Sequence, residues 1–155
     1  MLQKLIKAMV MAFTLITTPV VAETQMNRDI NCLALNVYHE SRGEPVEGQI
    51  AVAYVTMNRV EHDHWPETIC DVVYQKHQFS WVKLKKDHTP RNEDLWETAQ
   101  YVARNVYEGL VPDNTNGSVF YHANYVNPSW AKKHHTIEQV RIGVHIFYTW
   151  KGYWS

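Results

Sequence analysis

In the first half of the chain, apolar residues recur with the period of an α-helix. The residues that repeat at intervals of three and four are Ile30, Leu33, Ala34 and Val37. This spacing places them on one helix face, Asp29 suits the N-cap, and Gly43 ends the pattern. The sequence therefore predicts a helix over 29–40, preceded by a flexible polar segment over 23–28.

A second helical pattern covers 46–60, and its apolar residues run almost all the way round the helix. They are Ile50, Ala51, Ala53, Tyr54, Val55 and Met57. A helix without a polar face is typical of one buried in the middle of a domain. Small residues such as Gly48 would let a neighbouring segment approach it closely.

Two further helices are predicted from their end signals. A short third helix begins near Pro66, which fits a first helical turn, and reaches Tyr74. A fourth helix covers 93–108, with Asn92 as its N-cap and Gly109 ending it.

After Gly109, turn signals and short aromatic segments replace the helical period. A turn cluster over 112–117 precedes an extended segment over 118–121, and a further turn falls at 127–128. The segment 140–150 is β-branched and aromatic, as in a strand. The sequence predicts an α+β fold, mainly helical, forming a single domain with a small β region in its C-terminal half.

The first residues have the pattern of a secretory signal peptide. Two lysines precede an apolar run over 8–16, and Val20 and Ala22 are the small residues expected before a cleavage site. The run is short for a membrane span, which needs about 20 residues. The predicted division is a signal peptide over 1–22 and an exported domain over 23–155, with an uncleaved membrane anchor as the alternative.

Composition and charge exclude some classes of protein. Of the 155 residues, 45% are hydrophobic and 20% are charged, the balance of an ordinary globular domain. Cleavage would remove two of the 15 basic residues and none of the 16 acidic ones, so that the formal charge changes from −1 to −3. No basic surface remains that would indicate a nucleic-acid partner.

The two cysteines, Cys32 and Cys70, both lie in the exported part. An even number of cysteines in an oxidising compartment favours a disulfide. It would close a loop of about 38 residues, worth on the order of 4 kcal/mol if it acts by restricting the unfolded chain. Two buried free thiols are the alternative.

Glu40 falls at the C-terminal end of the first predicted helix, at the mouth of a loop. A carboxylate near the negative end of a helix dipole has its pKa raised because its charged form is disfavoured. Such a carboxyl group can stay protonated near neutral pH and act as a general acid. The alternative is a structural role, as an ion-pair partner of Arg42 or a surface cap.

The segment from Glu40 to Val60 carries the most informative motif. Its positions are Glu40-Ser41-Arg42-Gly43-Glu44-Pro45, Gly48-Gln49, Ala51-Val52-Ala53 and Asn58-Arg59-Val60, and Gln78-Phe79-Ser80-Trp81 accompanies them. In these residues the chain resembles the cell wall hydrolases typified by the spore-cortex-lytic enzyme of sporulating bacilli. Looser matches at 120–122 and 143–148 extend the resemblance from about Cys32 to about Tyr148.

This resemblance implies a lysozyme-like fold and cleavage of the MurNAc–GlcNAc bond in peptidoglycan. Glu40 maps onto the catalytic acid of the family, whose usual reaction is lytic transglycosylation to 1,6-anhydro products. No cofactor is implied. The expected partners are glycan strands, with no nucleic acid and no stable membrane insertion if the signal is cleaved. We expect a monomer that is secreted, or periplasmic and associated with the cell wall. Ser41 departs from the Ala that is more common in the family.

Several aromatic and amide side chains are candidates for binding the sugar. Gln78 and Phe79 are candidates to line the groove. Tyr121, His122 and Trp130 are candidates for stacking or hydrogen bonding, with ordinary packing as the alternative.

Many glycosidases use a second carboxylate, and Glu44, Glu47 and Asp71 are the nearby candidates. Glu44 could instead cap the second helix. A lytic transglycosylase can work with one acid, so the lack of a decisively placed second carboxylate fits that reaction. Gln49 and Asn58 lie nine residues apart on the second helix and point to nearly opposite faces, so at most one of them is expected to line the cleft.

Two rival functions remain open. The first is a zinc-dependent peptidoglycan amidase or peptidase, for which His62, His64 and the pair at 134–135 are the densest histidine groups. No His-Glu-x-x-His motif occurs, because Gly43 stands where His39-Glu40 would need the second histidine. The other rival is a non-catalytic glycan-binding module, which would need no acid at position 40.

Overall fold

The computed structural model describes residues 19–84, 87–132 and 135–151. Its elements in chain order are α1 (Pro19–Ser41), α2 (Val46–Val60), α3 (Ile69–Tyr74), α4 (Ser80–Leu84), α5 (Glu93–Tyr107), β1 (Phe120–Ala123), a 3₁₀ turn (Ser129–Lys132), β2 (Thr136–Ile142) and β3 (His145–Trp150). Helices come first and strands later, which confirms the predicted α+β arrangement.

The first helix begins earlier than predicted. It starts at Pro19, so the prediction of a flexible segment over 23–28 is wrong, and Asp29 is an interior residue that accepts hydrogen bonds from Gln25 Nε2 at 3.0 Å. The physical reason is that no glycine or proline interrupts 20–42. Residues 1–18 of the predicted signal peptide lie outside the described residues, and that peptide stays a prediction.

The other helices follow their end signals closely. Helix α2 has the predicted bounds, and α5 begins after Asn92, whose side chain accepts from Leu95 N. Helix α3 begins three residues after Pro66 because Thr68 caps it, accepting from Asp71 N. The short helix α4 has no counterpart among the predicted elements. Among the described helices, none combines the length and the apolar character that a membrane crossing requires.

The strands form one antiparallel sheet in the order β1-β3-β2. The prediction of a single strand over 140–150 is wrong, because the chain reverses between Ile142 and His145 and forms the β2–β3 hairpin. Gly143 has a φ of +58°, a conformation that favours glycine and permits this tight turn. On the other side of β3, Tyr121 of β1 pairs with Phe147.

Helix α2 lies between the helical layer and the sheet, in agreement with its apolar pattern. On one side Ala53 packs in a core formed with α1, α3 and α5. On the other side Val52 and Val55 pack with Phe147 of β3, and the ring of Tyr121 touches both groups. Small side chains let α2 approach both neighbours closely, so its position fixes the distance between the end of α1 and the sheet.

Two sets of contacts fix α1 in place. The predicted disulfide is confirmed, and Cys32–Cys70 ties α1 to α3. One turn before Glu40, the buried Asn36 donates from Nδ2 to Thr56 Oγ1 at 3.1 Å and accepts from Trp81 Nε1 at 3.3 Å. These bonds join α1 to α2 and α4, and they hold the helix end that carries Glu40.

Candidate active site

Glu40 lies in the last turn of α1, where the helix end meets β1. The Tyr121 hydroxyl donates to Glu40 Oε2 at 3.0 Å, across 81 residues of sequence. A cavity of about 330 Å³ opens beside this carboxyl group. The residues that line it are His39, Glu40, Ser41, Arg42, Gly43, Glu44, Tyr125, Val144 and His145.

Burial keeps the Glu40 carboxyl group from ionising readily. It raises the pKa of Glu40, and the hydrogen bond from Tyr121 and the positive charge of Arg59 offset this only in part. Burial, followed by the negative charge of Glu40, raises the pKa of Tyr121 well above 10, so its hydroxyl stays a donor. The result is a partly enclosed carboxyl group that favours its protonated form and has a donor ready for its ionised form.

Arg59 is the buried cation of the site. Its Nε donates to Val119 O at 2.8 Å, and its guanidinium lies 5.8 Å from the Trp65 ring and 5.5 Å from the Phe79 ring. Burial lowers the pKa of Arg59 to about 10, so it stays charged at neutral pH. A lone arginine in a mostly apolar helix is a sequence signal for such a residue, but its role beside Glu40 becomes evident only in the fold.

The surroundings of Glu40 do not support the alternative of a structural ion pair with Arg42. Arg42, the expected ion-pair partner, lies over the Tyr38 ring at 5.1 Å and donates to Tyr38 O at 3.3 Å. Ser41 is buried and donates to Val37 O at 2.9 Å, so the hydroxyl that replaces the more common alanine is satisfied within the helix.

Glu44 connects the loop after α1 to the β2–β3 turn. Its Oε2 accepts from Val144 N at 2.8 Å, and a Cβ added at Gly143 would collide with the same oxygen. Pro45 holds the N-cap position of α2 without a side-chain hydrogen bond, so the alternative that Glu44 caps α2 is wrong. Glu44 lines the same cavity as Glu40.

The other two candidate carboxylates lie elsewhere. Glu47 is exposed in the first turn of α2, and Asp71 is exposed in α3, where it accepts from Thr68. Neither lines the cavity beside Glu40. Of the three candidates, Glu44 is the one that shares this cavity.

Gln49 and Asn58 both hold loops, on opposite sides of α2. Gln49 Nε2 donates to Glu44 O at 3.1 Å, which fixes the loop after α1. Asn58 Nδ2 donates to Asp113 Oδ2 at 3.1 Å and to Ser118 O at 3.0 Å, which fixes the segment before β1. Their opposite orientation agrees with the sequence prediction, and neither side chain lines the cavity.

The predicted sugar-binding side chains are divided between three places. Tyr121 contacts Glu40, as described above. Gln78 and Phe79 line a separate groove near α4, and Phe79 is linked to the site through Arg59. His122 interacts through Nε2 with Tyr148 Oη at 3.0 Å, and Trp130 packs on Phe120.

The cavity also brings in Tyr125 and His145, which sequence reasoning did not single out as site residues. Tyr125 is 82% exposed at its edge, and His145 is 8% exposed in its wall. The solvent-exposed aromatic ring of Tyr125 is suited to contact with a sugar face. A tyrosine in a turn-rich segment and a histidine at a strand start are weak signals without the fold that places them together.

The histidine groups considered as zinc ligands do not form a ligand set in the part of the chain that the structure describes. There, no group of three His, Cys, Asp or Glu side chains is placed to hold a metal ion. His62 stacks on Trp150 at 5.8 Å, and His64 meets the same ring at 4.8 Å. His134 lies outside the described residues.

The comparisons with known proteins agree on one family. The family model described as Cell Wall Hydrolase matches residues 43–148, a match that begins three residues after Glu40. A spore cortex-lytic enzyme of Bacillus cereus is 37% identical over 122 residues, which cover 77% of this chain and 43% of that protein. The chain thus spans less than half the length of this relative.

Solved structures show the same fold. The catalytic domain of the Bacillus cereus SleB protein matches with a TM-score of 0.66 and 32% identity, covering 78% of this chain and 89% of that one. The catalytic domain of the germination-specific lytic transglycosylase SleB from Bacillus anthracis matches with a TM-score of 0.64 and 33% identity, covering 77% and 92%. The predicted lysozyme-like fold is confirmed.

Glu40→Gln should stabilise the protein at alkaline pH. The pKa of Glu40 is raised in the folded state. At a pH above the pKa that Glu40 has in the unfolded chain, ionisation of Glu40 therefore lowers the free energy of unfolding. We expect the variant to unfold at a higher urea concentration than wild type at about pH 8, and the difference to vanish towards about pH 4. Glu47→Gln, at an exposed carboxylate, is the control. A Glu40→Gln midpoint equal to or below wild type at the higher pH would contradict the raised pKa of Glu40.

Proposed function

Because the chain belongs to the cell wall hydrolase family, we propose that it cleaves the MurNAc–GlcNAc bond of peptidoglycan glycan strands as a lytic transglycosylase. The observation that carries this proposal is the Glu40 carboxyl group, which has a raised pKa, accepts from Tyr121 and opens on a cavity. Glycosidic bond cleavage begins with protonation of the leaving oxygen, and a carboxyl group of this kind can supply that proton.

In the first step Glu40 donates its proton to the oxygen of the leaving sugar, and the bond between that oxygen and C1 breaks. Positive charge develops at C1, and the acetamido group of the substrate can help to stabilise it. Glu40 is now a carboxylate. The Tyr121 hydroxyl and the positive charge of Arg59 both stabilise this form, since each lowers the pKa of Glu40.

In the second step the Glu40 carboxylate accepts the proton of the sugar's C6 hydroxyl. The C6 oxygen forms a bond to C1, which gives the 1,6-anhydro product and returns Glu40 to its protonated state. One residue therefore serves first as acid and then as base, and no external proton is consumed. Burial favours the starting form, whereas Tyr121 and Arg59 keep the intermediate form accessible.

The position of Glu44 supports a single-acid mechanism. Its Oε2 is already engaged by Val144 N, and this bond holds the β2–β3 turn against the loop after α1. This contact gives Glu44 a structural role that does not require it to act as a nucleophile. We assign Glu44 to positioning the cavity wall.

The site of action follows from the substrate. Peptidoglycan lies outside the cytoplasm, so we propose that residues 1–22 direct export. The domain over 23–155 then acts as a monomer in the periplasm or at the cell wall. Its partner there is the glycan strand. The reaction above uses side chains alone, without a cofactor.

Mass spectrometry of the products tests this function. Purified peptidoglycan is incubated with wild type, Glu40→Gln and Glu44→Gln in the presence of EDTA. We expect wild type to release 1,6-anhydro muropeptides, Glu40→Gln to release none, and Glu44→Gln to keep the 1,6-anhydro product at a reduced rate. Reducing-end sugars that depend on both carboxylates would change the reaction to hydrolysis. If no protein releases fragments, the glycan-binding module becomes the better description.

Tyr121→Phe should move the alkaline limb of the pH–rate profile to higher pH. The substitution keeps the ring but removes a hydrogen bond that lowers the pKa of Glu40, so Glu40 stays protonated to higher pH. The maximal rate should fall because the carboxylate loses a donor in the intermediate. The measurement is kcat/KM against pH on solubilised glycan strands, with the exposed Tyr101→Phe as control. An unchanged or acid-shifted limb in Tyr121→Phe would refute the proposed link between these residues.

A further inference from the structure

A second groove lies beside α4, outside the cavity that Glu40 lines. Its main cavity has a volume of about 510 Å³ and is lined by Tyr74, Lys76, His77, Phe79, Val82 and Lys83. An adjoining cavity of about 340 Å³ shares three of these residues and adds Gln78 and Ser80. The two cavities together are called the α4 groove below. The mechanism above uses none of the side chains that line it.

The charged side chains of the α4 groove are positive. Lys76 and Lys83 are both exposed and line it. Each ammonium group offers three N–H donors and no acceptor. Among the described residues, no aspartate or glutamate lines either cavity. The groove therefore complements a ligand that carries carboxylates or other anionic groups.

Much of the remaining surface of the groove is apolar or aromatic. Phe79 is 5% exposed, Val82 is half-buried, and Tyr74 is 42% exposed. Cationic groups beside apolar surface suit a ligand in which carboxylates alternate with small apolar side chains, as in an acidic peptide. A polymer of phosphate groups would use the lysines but would leave the apolar surface uncovered.

The backbone at His77 has a conformation that few residues other than glycine adopt. Its φ is +69°, in the left-handed region. The turn between α3 and α4 is closed here by Gln78 N, which donates to Gln75 O at 3.2 Å. The turn carries His77 into the lining of both cavities. Residues held in such conformations cluster at active sites and ligand clamps.

Helix α4 links the groove to the cavity beside Glu40. Val82 and Lys83 line the groove, and Trp81 between α4 and α1 stacks on His39 with the ring centroids 4.5 Å apart. His39 in turn lines the cavity beside Glu40. Peptidoglycan carries short peptides on its MurNAc sugars, and a stem of three to five residues spans roughly 10–17 Å when extended. A stem on a sugar beside Glu40 can therefore extend towards the groove.

We propose that the α4 groove binds the acidic peptide stem of peptidoglycan. Lys76 and Lys83 donate to the free carboxylates of the stem, and an alanine side chain of the stem packs against the ring of Tyr74. The inference rests on the proposed function, since the glycan strand carries the stem. It gives the enzyme a preference for strands that keep their peptides over strands from which an amidase has removed them.

Binding to two kinds of glycan strand tests this preference. The full chain carrying Glu40→Gln, which prevents turnover, is titrated with uncross-linked strands that keep their stems and with the same strands after amidase treatment. The titrations are repeated with Lys76→Gln and Lys83→Gln added together, and with Lys76→Arg and Lys83→Arg, which keep both charges. Arg28→Gln with Lys151→Gln removes two exposed charges that do not line the groove, and it is the matched control.

We expect the double Gln substitution to weaken binding of stem-bearing strands about five- to tenfold, the range of two partly exposed ion pairs, and to change binding of stripped strands little. The double Arg substitution should retain most of the affinity, and the control should change neither affinity. Equal weakening for both kinds of strand, or for neither, would overturn the inference. Binding of polyphosphate that is tighter than binding of stem-bearing strands, and that depends on both lysines, would also overturn it.

The products of the wild-type chain separate this inference from the proposed function. If wild type releases 1,6-anhydro fragments while the double Gln substitution leaves binding unchanged, the proposed function stands and the inference fails. If wild type releases no fragments from either kind of strand, the proposed function fails, and the inference fails with it.

Zero-length cross-linking locates the contact without a substitution in the groove. A carbodiimide joins a carboxylate to a lysine Nζ that it touches, with formation of an amide. The Glu40→Gln protein is treated with carbodiimide in the presence of stem-bearing strands, and the modified lysines are mapped by mass spectrometry. We expect stem adducts on Lys76 or Lys83 and not on Lys151. Adducts that are equally frequent on Lys151, or absent from both groove lysines, would contradict the proposed contact.

Discussion

The burial of one carboxyl group at the junction of two layers governs the chemistry of this domain. Glu40 lies in the last turn of α1, where it contacts Tyr121 of the sheet and lines the cavity. Burial raises its pKa, while Tyr121 and Arg59 act in the opposite direction. The balance is useful because the proposed reaction needs both forms of the group in turn. A fully exposed glutamate would be ionised near neutral pH and could not donate a proton. A buried glutamate without Tyr121 and Arg59 would form the carboxylate less readily, and this carboxylate is the base of the second step.

Contacts in the helical layer and in the sheet hold this junction in place. Helix α2 separates the helical layer from the sheet, and its small and β-branched residues set how near the layers come. The disulfide and the buried Asn36 hold α1, while Glu44 holds the β2–β3 turn through Val144. Because Gly143 allows the close approach of Glu44, the turn lies against the loop after α1 and forms a wall of the cavity. The same wall carries His145, so this contact helps to shape the surroundings of the acid.

Local patterns predict the parts of this arrangement that depend on near neighbours. The bounds of α2, the Asn92 cap of α5, the disulfide and the place of Glu40 at a helix end all follow from spacing and end signals. The start of α1 escapes prediction because a polar helix without breakers carries little periodic signal. The β2–β3 hairpin resembles one strand in sequence because a lone glycine does not by itself define a turn. The contacts of Glu40 with Tyr121 and of Glu44 with Val144 join residues 81 and 100 positions apart, and no local pattern encodes such pairings.

The proposed chemistry depends on burial keeping Glu40 protonated at a higher pH than an ordinary glutamate. The most direct measurement is a ¹³C NMR titration of glutamate side-chain carboxyl groups, with the Glu40 resonance assigned from its absence in Glu40→Gln. We expect a Glu40 pKa above the ordinary value of 4.5. A pKa at or below 4.5 would mean that Tyr121 and Arg59 outweigh burial, and it would contradict the role of Glu40 as the acid.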